Sequence, residues 1–226
     1  MLEIEGLEAQ YGGKRALGPL SISAHKGSCV GLVGRNGSGK TTFLHALCGI
    51  GSSTGRRTLN GKTLLRGVSH DVSLVESDPV LVDSMTVEEA VRFDAAMRGM
   101  RLSREELDRA LSLFDCTPFS DVRVRLCSLG MRKRAALSAA WTGSPKLVIL
   151  DEPTNGLDTE SIFRLVENIE VTRCNGGTVF MSSHDLAFAQ RRCNRVLMLD
   201  QGAVVADLDT DTDDVEREFY QRFIAK

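Results

Sequence analysis

Hydrophobic residues recur with two different periods along the chain, and each period predicts a different kind of element. Over residues 2–7, apolar side chains nearly alternate with acidic ones, which predicts an edge or half-buried strand. Asn60-Gly61, between two short strand-like runs, is a strong signal for a two-residue hairpin. The N-terminal part is therefore predicted to combine antiparallel strands with a strand over 28–33 that leads to Gly34.

The middle of the chain is predicted to be helical. Residues 86–89 and 103–106 each form a capping box, in which a hydroxyl and a carboxylate satisfy backbone N–H groups at a helix start. After the second box, apolar residues follow at the spacing of one helix face: Leu107, Ala110, Leu111 and Phe114. A third helix is predicted from near Ser128 to about Trp141.

An α/β pattern returns after Pro145. The apolar run 147–150 is typical of a strand that is covered on both faces. An amphipathic helix over 162–169 and strands over 178–182, 195–199 and 203–205 are predicted next. The acidic run 207–214 is interpreted as a solvated linker or the entry to a helix. In the remaining tail, Val215, Phe219, Phe223 and Ile224 lie near one helical face, which is predicted to dock on the core or on a partner.

Composition narrows the class of protein. The 226 residues are 42% hydrophobic and 26% charged, with a net charge of −2, which suits a globular protein with no strong attraction to nucleic acid or anionic lipid. No apolar run approaches the length that spans a bilayer, and the acidic start lacks a signal-peptide core, so we expect a cytoplasmic protein. The six cysteines are scattered and are expected to be reduced.

A phosphate-binding loop is the strongest chemical signal. The segment fits GxxxxGK[ST] and lies between a predicted strand and a predicted helix: Gly34, Arg35, Asn36, Gly37, Ser38, Gly39, Lys40 and Thr41, followed by Thr42. Glycines let successive N–H groups face one anion, and the helix start adds positive potential. Lys40 is expected to reach the β- and γ-phosphates of a nucleotide, and the Thr41 hydroxyl to ligate Mg²⁺.

Two carboxylates follow the buried strand 147–150. Asp151 is expected to hold Mg²⁺, and Glu152 to orient and polarise the water that attacks the phosphate. The pair follows the carboxyl end of a strand, where open α/β sheets build their sites, and together with the glycine loop this favours a functional role.

Residues 127–134 resemble a motif that is typical of one protein family. Ser128 and Gly130 match the signature segment of ATP-binding cassette (ABC) ATPases, which is usually written LSGGQ, whereas Cys127, Leu129 and Met131 depart from it. The Ser-Leu-Gly-Met pattern resembles a variant of exporter-type cassettes of the ABC-2 kind. The resemblance implies that Ser128 and Gly130 contact the γ-phosphate of ATP held by a second cassette.

Further family positions occur in the expected order. The resemblance implies that Tyr11 stacks on adenine, that Asp158 ends a D-loop at the dimer seam, and that His184 is the switch histidine near the γ-phosphate. The glutamine that usually contacts Mg²⁺ is missing from 75–79, where Ser77 takes its position. The resemblance covers about residues 1–205 and leaves the tail outside.

The family implies a P-loop NTPase of the ABC type, with a RecA-like core, an antiparallel β layer and a helical signature subdomain. We therefore expect a single ABC ATPase domain over 1–226, with a helical lobe at about 83–143 and a C-terminal tail at about 207–226. ATP and Mg²⁺ are the expected cofactors. The expected partners are a second cassette, identical or paralogous, and a separate transmembrane permease chain that holds the protein peripherally on the cytoplasmic face of the membrane, without nucleic acid.

Two alternatives remain open from sequence. A soluble ABC ATPase that acts on protein or nucleic acid would share these motifs, although such relatives often carry two cassettes, a coiled coil or basic extensions. A P-loop kinase or GTPase would explain the glycine loop but not Ser128 or His184, and no guanine-reading segment is evident.

Overall fold

The computed structural model describes residues 1–11, 13–64 and 66–225, except for the side chains of Tyr11 and Lys14. Its strands are β1 (Leu2–Tyr11), β2 (Lys14–Ala24), β3 (Cys29–Val33), β4 (Ser52–Leu59), β5 (Lys62–Thr63), β6 (Val72–Val75), β7 (Leu147–Leu150), β8 (Thr178–Ser182), β9 (Arg195–Asp200) and β10 (Ala203–Asp209). Its helices are α1 (Lys40–Cys48), α2 (Val87–Met97), α3 (Arg104–Leu113), α4 (Leu129–Trp141), α5 (Thr159–Cys174), α6 (Leu186–Arg192) and α7 (Val215–Phe223).

Two sheets form the α/β part of the molecule. The first is four-stranded and antiparallel, in the order β2-β1-β4-β5. The second is six-stranded, in the order β10-β9-β3-β8-β7-β6, and β10 is its antiparallel member. The parallel strands β3, β8 and β7 are neighbours, so their carboxyl ends open on the same edge of the sheet.

The glycine-loop helix α1 packs in the apolar layer that the two sheets share. Its buried Phe43 and Leu44 belong to one cluster with residues of β1, β3 and β8, and the ring centroids of Phe43 and Phe180 lie 5.9 Å apart. Helices α2 to α6 pack in a second cluster against the other face of the six-stranded sheet. This double coverage explains why β3, β7 and β8 are buried throughout and consist mostly of apolar residues.

The local signals are confirmed. Thr86 and Ser103 cap α2 and α3 through complete capping boxes, and Ser128 caps α4. Asn60 and Gly61 have φ values of 51° and 76°, as a two-residue turn with positive φ at both positions requires. None of the helices in the described residues combines the length and the apolar character that crossing a bilayer requires.

The structure decides one open alternative and corrects one expectation. Of the two possibilities for the first strand, β1 is half-buried and not an edge strand, because β2 and β4 flank it. The acidic run is not all linker, because β10 continues to Asp209 and the Asp207 carboxylate pairs with Arg195 of β9 at 2.6 Å. Only the following turn and Asp214, which caps α7, fit the predicted linker and helix entry.

The tail packs on the chain's own core. Val215 is fully buried, and Phe219 and Phe223 pack against the cluster that includes α6, with ring centroids 4.7 Å apart. Ile224 remains 55% exposed. Of the two docking modes that the sequence left open, the structure contains the contact with the core.

Candidate functional site

A cavity of about 770 Å³ lies at the carboxyl edge formed by β3, β7 and β8. Most of the predicted phosphate and metal residues line it: Asn36, Gly37, Ser38, Gly39, Lys40, Thr41, Thr42, Ser77, Asp151, Glu152 and His184. Arg15, Ala16, Asn155 and Gln201 complete the lining and were not predicted as site residues. The sheet order therefore brings together segments that are far apart in sequence.

The glycine loop joins β3 to α1 by a sharp turn that leaves no room for a side chain at its first residue. A Cβ on Gly34 would lie 2.3 Å from the Leu199 carbonyl oxygen, so the backbone passes too close for any other residue. Gly39 precedes the helix with a φ of 106°, in the left-handed region that favours glycine. The start of α1 consequently faces the cavity with its free N–H groups, as an anion site requires.

Two side chains of the loop can bind a phosphate group. Lys40 is mostly buried, and its Nζ donates to the carbonyl oxygens of Gly34 at 2.9 Å and Arg35 at 3.4 Å. Burial lowers the pKa of Lys40, while the nearby Glu152 and Asp151 carboxylates oppose that shift. Ser38 Oγ is buried and has no hydrogen-bond partner among the described residues, so an acceptor in the cavity would satisfy it. Arg35 itself is exposed.

Asp151 and Thr41 provide the oxygen ligands that a magnesium ion needs. Thr41 Oγ1 donates to Asp151 Oδ2 at 2.8 Å, so the two predicted ligands are already side by side. The Ser182 hydroxyl at the end of β8 donates to the other oxygen, Oδ1, and fixes the carboxylate plane. This set of hydroxyl and carboxylate oxygens suits Mg²⁺. Ser77 also lines the cavity.

Glu152 has an unusual backbone. Its φ of 44° lies in the left-handed region, and its N–H donates to Ser182 Oγ at 2.8 Å. Its carboxylate accepts from the His184 N–H at 3.2 Å and lies 3.0 Å from His184 Nε2. Burial raises the pKa of the Glu152 carboxyl, and the charges of His184 and Lys40 oppose this. A raised pKa is the property that a proton acceptor at neutral pH requires.

Ser182 is a site residue that the sequence did not reveal. Its hydroxyl bridges the Glu152 N–H and the Asp151 carboxylate, so it fixes the Asp151 side chain and the backbone that carries Glu152. Its one distinguishing feature is its position at the end of a buried strand, next to the strand that leads to Asp151. This proximity is a consequence of the sheet order, and no local pattern in the sequence indicates it.

The signature residues lie elsewhere. Ser128 is exposed and accepts from the Met131 N–H at 3.2 Å, and Asp158 caps α5 by accepting from the Ser161 N–H at 2.8 Å. A Cβ on Gly130 would lie 2.9 Å from the Gly156 carbonyl oxygen, so the first turn of α4 lies against the loop that leads into α5. We call the surface of Ser128, Gly130 and Asp158 the signature surface. None of the three lines the cavity in the described part of this chain.

The remaining predicted residue, Tyr11, ends β1, and its side chain lies outside the described residues. Its role as an adenine platform stays a prediction. Arg15 and Ala16 of the adjacent strand β2 do line the cavity.

A family model described as ABC transporter matches residues 17–155. The chain is 34% identical over 224 residues to a putative ABC transporter ATP-binding protein of Listeria monocytogenes, covering 93% of this chain and 82% of that protein. It is 30% identical over 213 residues to the Nod factor export ATP-binding protein I of Ralstonia nicotianae, covering 91% and 66%.

A solved structure described as the ATP binding subunit of an ABC transporter superposes with a TM-score of 0.84 at 29% identity, covering 98% of this chain and 94% of that one. Sequence family, fold and the geometry of the glycine loop agree. The chain therefore belongs to the ABC transporter family, and it is an ATP-binding cassette that hydrolyses ATP.

Proposed function

We propose that the chain is the ATPase subunit of an ABC exporter that works through a separate transmembrane chain, on the cytoplasmic face of the membrane. The similarity to a Nod factor export protein and the exporter-like Ser-Leu-Gly-Met segment support export. The similarity to an ATP binding subunit supports a transmembrane partner that is a separate chain. In this proposal the chain is one ABC domain over 1–226, its helical lobe comprises about residues 83–143, and its tail packs on the core through α7.

One observation supports a paired cassette most directly. The cavity is lined by the glycine loop, Asp151 and Glu152, whereas the exposed Ser128 and the partly buried Gly130 lie outside it. An exposed helix start with free N–H groups is suited to bind an anion that comes from outside the chain. In the proposed dimer, the signature surface of one cassette covers the ATP in the cavity of the other.

The proposed chemistry follows from the positions of the side chains. The loop N–H groups, Ser38 and Lys40 bind the phosphates of ATP, and Glu152 orients a water and accepts its proton. His184 holds the Glu152 carboxylate through its N–H and its ring. Thr41 and Asp151, with Ser77 nearby, would hold Mg²⁺, which would supply positive charge to the phosphate oxygens.

A charge-neutral substitution tests this proposal. We expect Glu152→Gln to bind ATP but to lose at least about 100-fold in kcat, because the amide cannot accept the proton. With ATP and Mg²⁺ it should accumulate as a dimer in light-scattering measurements. Glu160→Gln is the matched control, since Glu160 is an exposed residue of α5 that pairs with Arg164, and it should hydrolyse ATP normally. Near-normal hydrolysis by Glu152→Gln would exclude the assigned role.

The transporter assignment has its own test. Tagged protein, purified from detergent-solubilised membranes of its source cells, is expected to bring down one transmembrane chain in a fixed ratio. ATP hydrolysis by that complex should respond to a transported compound. A chain that never copurifies with a membrane protein, and whose ATPase activity instead rises with nucleic acid, would support the soluble alternative.

A further inference from the structure

A buried lysine lies behind the cavity. Lys133 of α4 has no exposed surface, and its Nζ donates to three backbone carbonyl oxygens: Glu76 at 2.9 Å, Ser77 at 3.1 Å and Asp151 at 3.4 Å. An ammonium group has three N–H donors, so these contacts satisfy it completely. Two of the three carbonyls belong to Ser77 and Asp151, whose side chains line the cavity.

The sheet explains why these carbonyls need a donor. Strands β6 and β7 pair in parallel as far as Val75 and Leu150, and the Asp151 N–H still donates to the Val75 carbonyl at 2.8 Å. Beyond this point the two segments diverge, and their carbonyl oxygens no longer have hydrogen-bond partners from the β-ladder. Lys133 reaches into the gap from α4 and joins the two strand ends.

The charge of Lys133 also fits this location. Burial lowers the pKa of Lys133 to about 8, while the charges of the Asp151, Glu152, Asp78 and Glu76 carboxylates favour the ammonium form. A cation at this position offsets repulsion between carboxylates that lie close together in the site. It does so without entering the cavity, because Lys133 is not among the lining residues that the structure describes.

We infer that Lys133 is a positioning residue of the magnesium site: it joins the Glu76-Ser77 backbone to that of Asp151, and thereby sets the distance between the metal-binding side chains. This inference rests on the proposed Mg²⁺ ligands. Residues that orient metal ligands from behind commonly affect metal affinity without touching the ion. Ser128 caps the helix that carries Lys133, so the same contact connects the helix of the signature surface to the backbone of the metal site.

Two substitutions of different hydrogen-bonding capacity test the inference. Lys133→Met keeps an unbranched side chain but removes every donor, whereas Lys133→Gln keeps two N–H donors without charge. The matched control is Arg98→Met, because the buried Arg98 guanidinium also donates to three backbone carbonyls, those of Ala139, Ala140 and Thr142, near the other end of α4. Asp151→Asn reports on the metal ligand itself.

The main readout is Mn²⁺ affinity, measured by electron paramagnetic resonance with the full chain and a non-hydrolysable ATP analogue. We expect Lys133→Met to weaken Mn²⁺ binding about 10-fold, with Lys133→Gln between it and wild type. Affinity for the analogue without metal should stay close to wild type. Arg98→Met should lower the Tm, as Lys133→Met does, but should keep wild-type Mn²⁺ affinity.

Results that contradict the inference about Lys133 can be distinguished from results that contradict the proposed metal site. If both lysine variants bind Mn²⁺ like wild type, or if Arg98→Met weakens Mn²⁺ binding equally, Lys133 has no special link to the metal site. If Lys133→Met does not fold, Lys133→Gln decides the same question. If Asp151→Asn leaves Mn²⁺ affinity unchanged, the proposed metal site is wrong, and the inference about Lys133 fails with it.

Discussion

The nucleotide cavity and the signature surface use their polar groups in opposite ways. In the cavity, Asp151 and Glu152 are buried and are joined through the Ser182 hydroxyl. On the signature surface, Ser128 and Asp158 are exposed, and each serves as a local helix cap. The polar groups of the cavity are therefore held by hydrogen bonds to one another, whereas those of the signature surface lie at exposed helix starts. In the proposed dimer, this difference means that one cassette supplies the ordered catalytic groups and its partner supplies the surface that covers them.

Removing the lysine of the glycine loop should give the largest effect. We expect Lys40→Ala to lower kcat by at least about 100-fold and to weaken ATP binding, because no other cation of the loop reaches the phosphates from a buried position. Calorimetry and steady-state ATPase assays measure the two effects. Lys62→Ala, on the exposed β5 strand, is the control and should behave like wild type. Normal turnover by Lys40→Ala would show that the cavity is not the catalytic site.

The Ser182 bridge should give an intermediate effect. In Ser182→Ala the buried Glu152 N–H and one Asp151 oxygen lose their partner, so we expect a loss of about 1–3 kcal/mol in unfolding free energy. Displacement of the two carboxylates should also lower kcat, by roughly 10-fold, with little change in ATP affinity. Denaturant titration and ATPase assays separate the two effects.

The strand β6 offers a matched control for Ser182. Ser73 is equally buried, and its Oγ has no hydrogen-bond partner in the described residues, so Ser73→Ala should preserve both stability and kcat. If Ser182→Ala also keeps its wild-type kcat, the bridge is structural and plays no part in placing Glu152.

Local signals made much of this fold predictable. The caps at Thr86, Ser103 and Ser128, and the Asn60-Gly61 turn, depend on neighbours within a few residues, and the structure confirms each of them. Asp207 shows where such signals fail. Within an acidic run it resembled a linker, but it lies in β10, which pairs with β9, and its carboxylate forms an ion pair with Arg195 of that strand.

The candidate site divides in the same way. The residues of the glycine loop form one continuous segment of sequence, and so do Asp151 and Glu152. Their chemistry can therefore be recognised from the sequence. Ser182 and Lys133 matter because of what lies next to them in the fold, and no pattern near them marks this. Lys133 even sits between Arg132 and Arg134, in a basic run that suggests a solvated helix face, yet it is fully buried.

The smallest expected effect tests the signature surface. Ser128 and Ser103 cap α4 and α3 in the same manner, each accepting from the N–H three residues later, so Ser128→Ala and Ser103→Ala should each cost about 1 kcal/mol of unfolding free energy. In the Glu152→Gln background, only Ser128→Ala should weaken the ATP-bound dimer. The loss of one hydrogen bond, about 1 kcal/mol, corresponds to roughly fivefold in the dimer dissociation constant. Light scattering over a concentration series measures it. If both variants have the same dimer dissociation constant, Ser128 acts only as a helix cap. Other residues of the signature surface would then cover the cavity.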